Sequence, residues 1–113
     1  MRGFTDKGTV WQLRDGGSDG TIVADLTVDD HEWPWVYAKL TAREGFGALA
    51  PLFAAELELL EDIENNVEEW EAAYDKIRSV LTLTFPDGRK VPEYLLHVKN
   101  DDVWWRWNDV PFE

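Results

Sequence analysis

Between Leu60 and Ile77 two rows of side chains keep the same three-four rhythm. Leu60, Ile63, Val67, Trp70, Tyr74 and Ile77 form an apolar row; Glu61, Glu64, Glu68, Glu71 and Asp75 form an acidic row beside it. Residues three and four apart share one face of a helix, so the pattern predicts a helix that buries one flank beside a negative ridge. Helical periodicity begins earlier, near Ala48 to Pro51, and continues through Leu49, Phe53, Leu57 and Leu60. Pro51 is expected in the first helical turn, where proline is well tolerated. Asn66 and Glu69 stand at capping-box spacing. The stretch therefore reads as one long kinked helix or as two helices, with a break or kink at Asn65-Asn66.

Outside this stretch the period is two. Thr9 to Arg14 reads as a strand, and Asp15-Gly16-Gly17-Ser18-Asp19-Gly20 as a loop. From Thr21 to Val28, Ile22, Ala24, Leu26 and Val28 alternate with Val23, Asp25 and Thr27, which completes a hairpin. Asp29-Asp30-His31-Glu32 reads as a polar turn, and Pro34 forces Trp33 into an extended conformation. A third strand covers Trp35 to Thr41. Past the helical stretch, Leu81, Leu83 and Phe85 alternate with Thr82 and Thr84. Pro86-Asp87-Gly88 carries the signature of a type I turn. Strands from about Val91 to Lys99 and from Val103 to Trp107 follow, with Asn100-Asp101-Asp102 turning the chain between them. The expected order is ββ(β)–α(α)–βββ: an α+β domain whose antiparallel sheet of five to six strands carries the helical layer on one face.

Composition narrows the class. A chain of 113 residues is expected to fold as a single domain over 1–113 with an ordinary hydrophobic core. It has no cysteine, which removes disulfides, thiolate nucleophiles and cysteine metal sites and fits a reducing cytoplasm. The N-terminus lacks the apolar core of a signal peptide, and Gly45 to Ala55 is too short for a membrane span, so a soluble chain is expected. A net charge of −12 opposes binding to nucleic-acid phosphates and to anionic membranes. It suits a basic partner. The segment Glu44 to Asp75 alone holds ten carboxylates and no lysine or arginine.

Some of the text has a family look. Asp30-His31-Glu32-Trp33-Pro34-Trp35, Phe46, Leu52-Phe53, Glu56 to Glu61, Tyr94-Leu95-Leu96-His97-Val98 and the tryptophan-bearing Val103 to Trp107 together resemble a group of small acidic proteins from actinobacteria. The group shares an acidic-aromatic-Pro-Trp motif, a helical segment and a tryptophan-rich end, and has no assigned activity. The resemblance implies a bacterial, cytoplasmic single domain and transfers no site residue.

Candidate chemistry is sparse. His31 lies among carboxylates in the expected polar turn, where adjacent side chains rarely converge, and His97 reads as a hydrogen-bonded sheet residue. The glycine-rich loop lacks the lysine and the following helix of a phosphate cradle. Neither Ser18 nor Ser79 has a nucleophile's surroundings. No catalytic residue, metal site or cofactor is assigned, and the chain is not read as an enzyme. Two surfaces remain. One is the acidic row Glu61, Glu64, Glu68, Glu71 and Asp75; the other is the sheet face away from the helix, with Trp35, Tyr37 and Trp104. Tryptophan, tyrosine and arginine anchor interfaces. The expected function is therefore a small interaction module, of inhibitor or immunity type, that docks a basic protein through the acidic flank and exposed tryptophans. The alternative is a homodimer or other homo-oligomer, or a small-ligand-binding domain, that works through the tryptophan face.

Overall fold

The computed structural model describes residues 4–16, 20–32 and 34–108. Trp33, part of the first loop and the tail beyond Asn108 lie outside the described residues. The elements are β1 (Val10–Asp15), β2 (Thr21–Glu32), β3 (Trp35–Ala42), α1 (Phe46–Glu61), α2 (Ile63–Val80), β4 (Leu81–Thr84), β5 (Glu93–Lys99) and β6 (Asp102–Asn108). The expected α+β architecture is present. Six strands form one antiparallel sheet in the order β4-β1-β2-β3-β6-β5, with the two helices inserted between β3 and β4.

Two bulges in β2 shape this sheet. Leu13 pairs with Ala24 but Arg14 pairs with Ile22, which leaves Val23 as an extra residue. Val28 pairs with Ala38 and Asp30 with Tyr37, which leaves Asp29 extra. A bulge bends its strand and deepens the twist. Strict alternation put Val23 on the face away from the core; the bulge lets it be buried. The polar run Asp29 to Glu32, expected as a turn, continues β2 past its second bulge.

The sheet curls as a result. In a flat sheet β1 and β6 would stand three strand spacings apart, about 14 Å. Yet the Trp11 ring lies 5.2 Å from that of Trp105 and 5.7 Å from that of Trp107. Trp11 and Trp105 are completely buried, and Leu13, Leu26, Val36, Leu83 and Leu96 pack in the same core. After β4 the chain folds back on that strand. The turn at Pro86-Asp87-Gly88 closes with the Gly88 N–H donating to the Phe85 carbonyl at 2.8 Å, and the Val91 N–H donates to the Leu83 carbonyl at 2.9 Å.

The helical stretch is interrupted twice: at Asn66, where a break or kink was expected, and at Asp62, which the sequence did not mark. Asp62 takes non-helical angles (φ −129°, ψ 52°), ending α1 and beginning α2. Asn66 is non-helical too (φ −133°, ψ 25°) and kinks α2. Both asparagine side chains turn back on Asp62: the Asn65 amide donates to its carboxylate and the Asn66 amide to its carbonyl. Asn65-Asn66 thus supports the break and lies just beyond it. Helix α1 starts at Phe46 after Gly45, whose φ of +96° favours glycine. Pro51 consequently sits in the second turn and forgoes the bond to the Gly47 carbonyl.

Two tyrosines bind the helices to the sheet edges. The buried Tyr74 hydroxyl of α2 accepts from the Leu96 N–H and donates to the Tyr94 carbonyl, each at 2.8 Å. It thereby satisfies outward-facing backbone groups of edge strand β5. The Tyr94 hydroxyl donates to the Leu81 carbonyl at 2.9 Å, where α2 gives way to β4. Burial pushes both phenols well above the ordinary tyrosine value of about 10.

The unfolded chain therefore ionises these phenols first as pH rises, and their contribution to stability is complete below about pH 10 and declines above it. Replacing Tyr74 by phenylalanine should cost about 1–3 kcal/mol at neutral pH, because both hydrogen bonds to β5 are lost. It should also make the alkaline decline shallower. Urea denaturation of both proteins across neutral and alkaline pH measures the two effects.

Candidate functional site

Alternation in β3, β5 and β6 sorts side chains between the concave core and the outer face. Val36, Ala38, Val103, Trp105, Leu96 and Val98 go inward. The pairing register then lines up Asp30, Tyr37, Trp104 and His97 in one row across β2, β3, β6 and β5. Asp30 joins this row because the bulge at Asp29 shifts the phase of β2. Beside the row, the Lys39 ammonium pairs with Asp102, which holds the lysine above its ordinary value. The rings of Trp35 and Trp104 lie 6.1 Å and 5.6 Å from the His97 imidazole. Tyr37 is exposed, but Trp35 and Trp104 are half-buried, so these two are partly covered where exposed tryptophans were expected.

A buried polar hub lies at the β5 end of this row, so α1 reaches the face that was expected to point away from the helices. Glu56 of α1 is completely buried and His97 is 3% exposed. The Glu56 carboxylate shares a hydrogen bond with His97 Nδ1 at 2.8 Å through Oε1, and accepts from the Trp70 indole N–H at 2.6 Å through Oε2. Burying a carboxylate costs several kcal/mol, which good hydrogen bonds must offset; here each oxygen has its own partner. The hub ties α1, α2 and β5 together. With Nδ1 engaged and aromatic rings beside it, the nearly inaccessible imidazole acts as a strut. Among the described residues, no three histidine, aspartate or glutamate side chains converge to hold a metal ion.

Next to the hub, α2 and β5 border a groove of about 390 Å³. Trp70 and Tyr74 stack along it, 5.4 Å between centroids and 14° between planes. Glu71 and Asp75 contribute their carboxylates, and Leu95 lines the β5 side. Inside it the Arg78 guanidinium donates to Glu93 at 2.8 Å. Leu95 alternates with His97 on the outer side of β5, so the groove and the aromatic row adjoin.

The acidic row is divided by the same geometry. Glu71 and Asp75 enter this groove, whereas Glu61 lines a second one between α1 and the β5–β6 turn. Glu64 precedes the kink at Asn66 and Glu68 follows it, both exposed. The uninterrupted helical part of the row is Glu68, Glu71 and Asp75. Sequence reasoning missed Glu56 and the bond of Trp70. One sign was available: Glu56 occupies the apolar phase of α1, in the series Leu49, Phe53, Glu56, Leu60. A carboxylate in that phase needs a buried partner. His97 is the hydrogen-bonded sheet residue that was expected, with its partner on a helix.

No family model, no curated protein and no solved structure matches this chain. Among the described residues, no helix is long and apolar enough to cross a membrane.

Glu56→Ala should lower the unfolding free energy by about 3–5 kcal/mol, because it strands the buried His97 imidazole and the partly buried Trp70 indole N–H. Exposed Glu64→Gln should change it by less than about 0.5 kcal/mol. Chemical denaturation of the two variants against the parent chain measures the contrast.

Proposed function

We propose that this domain is a protein-interaction module of inhibitor or immunity type that docks a basic protein through one continuous surface. The surface runs from the acidic flank of α2, across the α2–β5 groove, to the outer row of Tyr37, Trp104 and the adjoining Trp35. The observation that carries the proposal is the pairing of Glu71 and Asp75 with an aromatic wall. Neither carboxylate has an ion pair or hydrogen bond among the described residues, and both border Trp70 and Tyr74. Charges placed in this way accelerate encounter, while aromatic groups hold the complex once formed. The net charge of −12 adds a long-range field that favours a cationic protein and opposes a second copy of the chain. The cysteine-free composition suits work in a reducing cytoplasm.

Binding fits the site better than catalysis does. His97 is committed to Glu56 and almost inaccessible. Self-association through the tryptophan face is the weaker alternative, because two copies that each carry a net charge of −12 repel one another.

The test is kinetic. A basic protein captured from lysate by the parent chain should associate at least about tenfold more slowly with the Glu68→Lys, Glu71→Lys, Asp75→Lys variant at low salt. The difference should shrink as salt screens the field. An unchanged association rate would overturn the proposal.

A further inference from the structure

We infer that the α2–β5 groove receives an arginine side chain of the partner, its guanidinium lying along the Trp70 ring and bridging Glu71 and Asp75. This rests on the docking function proposed above and specifies its chemistry. The groove brings three carboxylates (Glu71, Asp75, Glu93) against one guanidinium (Arg78), a net −2. The α1 groove sets Glu58 and Glu61 against Lys99, a net −1, and the groove between the helices balances Glu69 with Lys76. Among these three grooves of the described residues, charge complementarity therefore favours the α2–β5 groove for a cation. Arg78 neutralises Glu93 and leaves the other two carboxylates unpaired.

The shape selects arginine over lysine. Glu71 and Asp75 are four residues apart on α2, so their Cβ atoms stand about 5–6 Å apart on one face. A planar fork with five donors can reach both carboxylates, whereas an ammonium is a compact point charge. Guanidinium is also the more weakly hydrated cation and stacks on aromatic faces. The Trp70 indole is anchored by its bond to Glu56, so the ring is already in place. A volume of about 390 Å³ lies near the lower end of small-molecule sites, roughly 300–1,000 Å³, which suits one long side chain rather than a helix. The groove already uses the same chemistry once, in the bond between Arg78 and the buried Glu93.

The test is a titration of the isotope-labelled full chain with two capped peptides identical except that one carries three arginines and the other three lysines. The arginine peptide should shift the Trp70 indole N–H resonance and bind about tenfold more tightly. That preference should vanish in the Glu71→Gln, Asp75→Asn variant and persist in the Glu61→Gln, Glu64→Gln variant. All four positions are exposed, so the fold is expected to survive. Equal, salt-sensitive binding of both peptides would overturn the arginine site and leave acidic docking standing. A preference that survives Glu71→Gln, Asp75→Asn would also overturn the site. Absence of binding by either peptide at low salt would overturn both proposals.

Discussion

An antiparallel strand at the end of a sheet turns half of its backbone donors and acceptors outward, and β5 turns two of them towards α2. One tyrosine hydroxyl meets both: Tyr74 accepts from Leu96 and donates to the Tyr94 carbonyl. A lone edge would invite another strand to pair. Here a helix side chain occupies that place, which fixes the height and rotation of α2 against β5. The groove exists because of this docking, since Trp70 lies one helical turn before Tyr74 and Asp75 directly follows it. Tyr94 extends the same device to the start of β4, so the curled sheet is tied at both ends by phenols held in their neutral form.

Glu56 adds a second, costlier constraint. Its carboxylate gains nothing from burial itself, and its two bonds only offset the loss of water. What the arrangement supplies is orientation. The Trp70 indole N–H is committed to Glu56 and the His97 imidazole to the same carboxylate, so neither ring is free to turn. Trp70 presents a fixed aromatic wall to the groove, and His97 supports Trp35 and Trp104 on the outer face. A surface ordered in advance loses less freedom when a partner arrives.

The acidic row looks different once the helix is seen to break. Four successive like-charge pairs on one continuous helix would cost on the order of 1–2 kcal/mol. The break at Asp62 separates Glu61 from Glu64, and the kink at Asn66 separates Glu64 from Glu68. Two pairs remain on regular helix, Glu68–Glu71 and Glu71–Asp75, with a repulsion of roughly 0.4–1 kcal/mol. These form the part of the row that adjoins the groove. The irregular turn relieves the repulsion where carboxylates have no aromatic neighbour and leaves it where they do.

Local patterns were enough to read most of the secondary structure. Alternation marked the strands to within a few residues, the three-four rhythm marked the helices, and Pro86-Asp87-Gly88 marked its turn. Those signals depend on neighbours within one or two turns of chain, which a sequence displays directly. The bulges at Val23 and Asp29 carry no such signal, because a bulge is a relation between two strands. The same holds for Glu56 meeting His97 across 41 positions and for Tyr74 meeting Leu96 across 22. By itself, then, the sequence determined an acidic, cysteine-free α+β chain with a carboxylate-lined helix. The tertiary structure decided which two of those carboxylates face an aromatic wall, because the curl of the sheet and the docking of α2 on its edge arise only when distant segments pack.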